Sequence, residues 1–113
     1  MSMISYEGIG QVVITAKMDS TVKPGDLVRY VENDLVYPCN KGEQFIGVAL
    51  SNDGEYGGVQ VKGFFTTSFT GNLDLGWNLL VGDGYGGMCQ SDYGINFLVT
   101  HIDRGTSTAA ICL

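Results

Sequence analysis

The chain has 113 residues, with 12 acidic and 6 basic side chains, a formal net charge of −6 at pH 7, and 17 glycines. This length supports one domain with one modest core. The acidic balance and the lack of any Lys or Arg cluster exclude nucleic acid as an expected partner. Cys39, Cys89 and Cys112 have no CxxC or Cys/His ligand spacing, so neither a disulfide framework nor a zinc site is predicted.

The first ten residues, MSMISYEGIG, are interpreted as an N-terminal arm that precedes a single β domain over residues 11–113. The arm is either a frayed terminus or a segment that docks on a partner. It lacks the basic region and apolar core of a signal peptide. No apolar run approaches the roughly 18 residues of a membrane span, so we expect no membrane partner and synthesis in the cytoplasm.

Predicted strands begin with the β-branched segment 11–17, QVVITAK. Pro24 and Gly25 then occupy the second and third positions of a type II turn, since proline fixes φ and glycine supplies a positive φ. Segments 27–31 and 35–39 follow as the two strands of a hairpin around a polar tip.

The central stretch of the chain runs over residues 45–65, FIGVALSNDGEYGGVQVKGFF. Its first six residues are an uninterrupted apolar run, which predicts a short strand buried on both faces. An acidic loop is predicted over 51–58, and the alternating residues 59–62 predict a half-buried strand. Gly63 interrupts that strand in a way consistent with a bulge.

The second half contains further short β segments. Residues 66–72 fit a strand or a loop equally well. Segment 73–81 is predicted to end in a strand, followed by a hairpin tip at 82–84 and a strand at 85–89. Strands are also predicted at 96–102 and 107–113, around a turn at 103–105. No apolar residues hold a helical spacing, so at most one short helix or 3₁₀ turn is expected.

The two halves, residues 21–65 and 73–113, follow the same order of elements at an offset of about 50 residues. Either a duplication or the general similarity of hairpin chains accounts for this order. The predicted fold is all-β: a small β-barrel or sandwich of antiparallel hairpins, with the two meander units packed against each other.

No residue pattern predicts catalysis or a cofactor. His101 is the single histidine, at the end of an apolar strand; a catalytic role would need a nucleophile or carboxylate partner, which spacing cannot show, so it is interpreted as a polar residue at a strand end. The Gly-rich segment 82–87 is not followed by a helix and lacks the lysine of a phosphate loop, so it is interpreted as a turn. The acidic side chains near the tips lack the ligand register of a calcium loop and are interpreted as solvated. These carboxylates are Asp53, Glu55, Asp83 and Asp92.

Aromatic residues are numerous for so small a core, and they fit either core positions or an interface, where aromatics anchor binding. Phe64, Phe65 and Tyr93 are among them. A set of arm, loop and aromatic residues is predicted to form contacts with a partner. These candidate interface residues are Tyr6, Ile9, Asn52, Asp53, Glu55, Tyr56, Phe69, Trp77 and Tyr85.

Three motifs resemble a family of small phage and prophage proteins: Lys23-Pro24-Gly25-Asp26-Leu27-Val28, Phe45-Ile46-Gly47-Val48-Ala49-Leu50 and Val59-Gln60-Val61-Lys62-Gly63-Phe64. In that family a PGD turn and strand lead to an IGVAL strand and a VxVxG strand, with a looser second copy. The resemblance covers residues 21–65 well and 73–113 in outline.

Members of that family are capsid decoration, or cement, proteins. The resemblance implies a non-enzymatic virion protein on the capsid exterior that binds the lattice of the major capsid protein, as a homo-oligomer with a trimer favoured. It implies no catalytic residue, metal or cofactor. A second hypothesis is a small β-barrel module of a phage tail or host-attachment device that binds carbohydrate or protein through Trp77 or Tyr85.

Overall fold

The computed structural model describes residues 10–113, so the predictions for Tyr6, Ile9 and most of the arm lie outside the described residues. The described chain contains ten strands and no helix, which confirms the predicted all-β class. The strands are β1 (Val12–Met18), β2 (Leu27–Glu32), β3 (Leu35–Pro38), β4 (Gly47–Ala49), β5 (Tyr56–Lys62), β6 (Phe64–Ser68), β7 (Gly76–Gly82), β8 (Met88–Gln90), β9 (Ile95–Asp103) and β10 (Thr108–Cys112).

The first five strands close into a barrel in the order β1-β3-β2-β4-β5. Strands β1 and β5 are antiparallel, whereas β1 and β3 meet in parallel at Lys17–Leu35 and Met18–Val36. Alanine and valine side chains, with one methionine, fill the barrel because its interior is narrow. They are Ala16, Met18, Val22, Val28, Val36, Ala49 and Val59.

The last five strands form a second sheet in the order β6-β10-β9-β7-β8. A single parallel bridge joins Phe69, just after β6, to Met88 at the start of β8. The two edge strands of this sheet, β6 and β8, therefore meet only at this bridge. At the equivalent place in the first unit, β1 and β3 form a parallel strand pair.

The two units have the same connectivity. In each, the second and third strands form a hairpin, the second pairs with the fourth, the fourth with the fifth, and the fifth with the first. Fully buried side chains occupy matching positions 52 residues apart. These pairs are Val28 with Leu80, Val36 with Met88, and Val59 with Ile111. The offset of about 50 residues in the sequence thus corresponds to a repeated topology, while common ancestry of the halves stays a prediction.

Strand β4 is buried on both faces, as its apolar run predicts. Ala49 belongs to the cluster inside the barrel. Val48, on the other side of the strand, belongs to the core cluster that also contains the buried residues of the second sheet. The neighbouring Phe45 is 2% exposed and stacks on Phe97 of β9, with ring centroids 4.9 Å apart. The central stretch therefore joins the two units.

The predicted type II turn is confirmed. Gly25 has a φ of 94°, and the Asp26 amide donates to the Lys23 carbonyl at 3.0 Å. The Asp26 carboxylate also accepts a hydrogen bond from the Lys23 amide at 3.0 Å. Only glycine adopts that φ without strain, so the residue type dictates where β2 begins.

Several predicted boundaries are wrong. The loop at 51–58 ends earlier, because Tyr56 already pairs with Lys17 of β1. The undecided segment 66–72 is strand as far as Ser68, where β6 ends. Gly63, with a φ of 101°, is a kink between β5 and β6 rather than a bulge within one strand. The predicted strand at 85–89 starts only at Met88, since residues 85–87 belong to the preceding turn.

Candidate interaction surfaces

The acidic loop between β4 and β5 is held by its own side chains. The Asn52 amide donates to the carbonyls of Asp19 at 3.1 Å and Val22 at 2.9 Å, which ties the loop to the chain after β1. The Asp53 carboxylate accepts from the amides of Tyr56 at 2.8 Å and Glu55 at 2.9 Å. These amide hydrogen bonds, from Tyr56 first and then Glu55, lower the pKa of Asp53 because they stabilise its ionised form.

This arrangement divides the interface residues predicted in the loop. Asn52 uses both its amide nitrogen and its amide oxygen within the protein, so its role is to shape the loop. Asp53 shapes the loop through one carboxylate oxygen, Oδ1, and its side chain remains exposed. Glu55 is exposed and Tyr56 is 48% exposed, so these two present their side chains to solvent.

The Gly-rich tip between β7 and β8 is organised by Asp83. This carboxylate is 4% exposed and accepts from the amides of Tyr85 at 2.7 Å and Gly87 at 3.1 Å. Its other oxygen accepts from the Thr70 hydroxyl at 2.7 Å. Asp83 was predicted to be solvated, which is wrong, because the glycines bring backbone donors onto it. The turn it stabilises presents Tyr85, which is 84% exposed.

The aromatic residues separate into core and surface. Phe69 is 8% exposed and belongs to the core cluster, so its prediction as an interface residue is wrong. Phe65 lies in the same cluster. Trp77 is 70% exposed, and Tyr93 is 60% exposed although its hydroxyl donates to the Gly42 carbonyl at 3.0 Å.

Trp77 lies on the side of the second sheet that faces away from the barrel. It stands opposite Leu98 on β9, and Leu98 in turn stands opposite Cys112 on β10. Leu79 is two residues along β7 from Trp77 and therefore points to the same side. We call this side the outer sheet face; it carries Trp77, Leu79, Asn96, Leu98, Ala110 and Cys112, and it continues onto β6 through Phe64 and Thr66, which stand opposite Cys112 and Ala110.

Sequence reasoning found only Trp77 of this face. Leu79 and Leu98 each lie next to a core residue, Leu80 and Val99, so the apolar runs look continuous and their two sides are indistinguishable from sequence. The signal that could have found them is the period-two alternation between residues 77 and 79 and between 96 and 98.

Trp77 and Tyr85 do not share a groove. Trp77 is near the start of β7 and Tyr85 follows its end at Gly82, and five residues of strand span about 17 Å. The two aromatics therefore serve separate surfaces. A third exposed apolar place is the β2–β3 hairpin, where Tyr30 is 41% and Val31 44% exposed.

The structure does not bring the cysteines and His101, the candidates for a catalytic or metal-binding role, together in one site. All three cysteines are free. Burial raises the pKa of Cys39 to about 12, and burial also raises the pKa of Cys89. His101 is exposed on β9 opposite Ala110. Within residues 10–113 no group of three or more His, Cys, Asp or Glu side chains is arranged to hold a metal ion.

No helix in the described part of the chain is long and apolar enough to cross a membrane. A scan against protein-family models found no match, and a search of curated proteins found no significantly similar sequence.

Proposed function

We propose that this protein is a non-enzymatic capsid decoration protein that binds the lattice of a phage major capsid protein from the outside and stabilises the head. The supporting observation is an all-β body that presents apolar side chains at separate places. Trp77 is 70% exposed, Tyr85 84% and Tyr56 48%. A protein that bridges neighbouring capsid subunits needs contacts on more than one side.

The residues that carry the family resemblance also fit this proposal. The three motifs supply the turn before β2, strand β4 and most of β5, which are parts of the closed barrel. They account for the scaffold, and the exposed side chains on other loops and strands remain available for contacts. Many weak contacts repeated over a shell sum to firm attachment through multivalency.

The acidic charge is compatible with a place outside the head. With a net charge of −6 the chain has little attraction for the packaged genome, whose phosphates bind basic surfaces. The resemblance favours a trimer at the threefold positions of the lattice, and the expected localisation is the virion.

The direct test uses phage heads from the strain that carries the gene. Purified protein is mixed with heads from a phage lacking this gene, and bound protein is measured by co-sedimentation. Saturation at a fixed ratio to the major capsid protein is the expected result, with the protein also detected by mass spectrometry in wild-type virions. Failure to bind heads, together with its absence from virions, would remove the proposal.

The second candidate is a binding module of a phage tail or host-attachment device. The exposed indole of Trp77 favours it, because such rings stack on sugars or anchor protein partners. Binding on a glycan array that is lost in Trp77→Ala and retained in Tyr85→Ala, with no binding to heads, would select this function instead.

A further inference from the structure

Strand β6 lies at the edge of the second sheet and has a continuous hydrogen-bonded neighbour on one side. It pairs with β10 along its whole length, from Phe64 opposite Cys112 to Ser68 opposite Thr108. At Thr66 and Ser68, no strand in the described part of the chain pairs with the other edge of β6. Unpaired backbone groups at a sheet edge are a template for a further strand.

The hydrogen bonds of β10 show which backbone groups of β6 face this open edge. The Leu113 amide donates to the Gly63 carbonyl at 2.8 Å. Odd-numbered residues of the segment therefore bond to β10, because the bonding direction alternates along a strand. The amide and carbonyl groups of Thr66 and Ser68 point the other way, toward the open edge.

The start of β1 lies beside the start of β6. Strand β1 pairs antiparallel with β5 as far as Val12 opposite Lys62. A Cβ on Gly63 would lie only 3.0 Å from the Gln11 Cα, so the chain before β1 passes directly over the junction of β5 and β6. Since β5 leads through Gly63 into β6, the line of β1 traced back toward the N-terminus runs along β6.

The edge of β5 that β1 occupies continues into the open edge of β6. The Leu50 amide donates to the Gly58 carbonyl at 2.8 Å, so even-numbered residues here bond toward β4 and odd-numbered residues bond to β1. The register shift between Val12 and Val13 adds one residue to β5 and reverses this order. Even-numbered residues from Lys62 onward therefore face the β1 side, and in β6 these are the residues whose backbone groups face the open edge.

Both chains bend at the same level. Gly63 has a φ of 101° and Gly10 a φ of 64°, which glycine adopts without strain. The Gln11 side-chain amide donates to the Gln60 side-chain oxygen at 3.2 Å, and this buried Gln60 donates to the Phe64 carbonyl at 3.2 Å. Because paired strands keep a spacing of about 4.8 Å, they stay paired through a bend only when both turn there.

We propose that residues 1–9 add to the open edge of β6 in their own chain as an antiparallel strand. This inference goes beyond the proposed function and does not depend on capsid binding. The register at the start of β1, continued past the bend, places Gly8 opposite Thr66. Tyr6 then stands opposite Ser68, the last residue of β6. Nine residues reach up to about 30 Å, which exceeds the roughly 17 Å of a five-residue strand.

Tethering favours the chain's own N-terminus over a strand from another molecule. Gln11 lies against Gly63, the residue before β6, so the segment reaches this edge without an intervening loop. A short tether gives an effective concentration in the millimolar range, which a free partner must exceed. Glu7 is the single charged side chain of residues 1–9 and β6 has none, so the pairing opposes no like charges.

The test is amide hydrogen exchange in the full 113-residue chain, followed residue by residue by NMR. The Thr66 amide should exchange about tenfold more slowly in wild type than in a Tyr6→Pro, Gly8→Pro double variant, because proline disrupts a strand ladder. Ser2→Pro is the matched control, since residue 2 lies beyond the end of β6 in this register, and it should leave Thr66 exchange unchanged. The Thr67 amide bonds to β10 and should stay protected in all three proteins, which reports that the sheet is intact.

Rapid Thr66 exchange in wild type would overturn the proposal, as would equally slow exchange in the double proline variant. Protection of Thr66 that appears only as the protein concentration rises, with a mass above 12.1 kDa in sedimentation, would also overturn it. That result would assign the edge to a strand from a neighbouring copy. None of these measurements involves phage heads, so a failure of head binding leaves this inference standing, and the reverse also holds.

Discussion

Replacing Phe45 with alanine should destabilise both units of the protein together. Phe45 is 2% exposed, and its ring stacks on Phe97 at a centroid distance of 4.9 Å, so its removal leaves a cavity between the barrel and the second sheet. Truncating a buried phenylalanine to alanine lowers the free energy of unfolding by about 3–5 kcal/mol. A domain of this length has a free energy of unfolding of about 11 kcal/mol, so roughly a quarter to a half of the stability would be lost.

The assay is urea and thermal unfolding followed by circular dichroism and by Trp77 fluorescence. The expected decrease in melting temperature is roughly 12–20 °C. Circular dichroism reports all strands and Trp77 reports β7 of the second unit, and the two transitions should coincide because one core cluster contains residues of both units. Tyr85→Ala, at an 84% exposed aromatic, should change stability by less than about 0.5 kcal/mol.

Two results would refute this reasoning. One is a loss below about 1 kcal/mol in Phe45→Ala, which would mean that the ring is not a central contact. The other is a fluorescence transition that stays in place while the circular dichroism transition splits. That outcome would mean that the barrel and the second sheet unfold independently.

The remaining predictions concern a glycine, a thiol and a carboxylate. Gly47→Ala should destabilise the protein by about 1–3 kcal/mol in urea unfolding, because its Cβ would lie 2.1 Å from the Gln60 carbonyl oxygen. Gly58→Ala is the control, since its Cβ would meet only side-chain atoms, the nearest at 3.3 Å, and equal losses would contradict the steric argument. Cys39 should resist alkylation by iodoacetamide in the native protein at pH 8.5, because burial raises its pKa to about 12. The denatured protein should be labelled at Cys39. Rapid labelling of Cys39 in the native protein, measured by mass spectrometry, would overturn this prediction. The pKa of Asp53 is lowered in the folded state, so its stabilising effect is present above the unfolded pKa, near 3.8, and is lost as the pH falls through the folded value. Melting curves should therefore show less acid destabilisation in Asp53→Asn than in wild type, and identical pH profiles would count against these hydrogen bonds.

Much of the fold could be predicted because its signals are local. Proline and glycine at 24 and 25 select a turn through the φ values they allow, and the structure has that turn. The apolar run around Val48 and Ala49 indicates a strand with no solvent face, and both side chains are buried in different clusters. Strand existence was predicted better than strand ends, which depend on where a partner strand stops.

The interaction surfaces were harder to predict because the sequence around an aromatic residue does not indicate whether its side chain is buried or exposed. Phe69 and Trp77 looked equivalent in sequence, yet the first is 8% and the second 70% exposed. Their difference arises from which side of the second sheet packs on the barrel. Asp83 was placed wrongly for a related reason, since its hydrogen-bond donor Thr70 is thirteen residues away, on the segment after β6.

The sequence by itself determined the β class, the main turns and the repeated order of the strands, since all three follow from period-two patterns and from the φ preferences of glycine and proline. Only the tertiary structure decided that the first unit closes through the parallel pairing of β1 with β3 and that the second has a single bridge at the equivalent place. It also decided that Leu27 is covered whereas Trp77 is open. These features depend on the packing of one unit against the other, which brings together residues that are far apart in the chain.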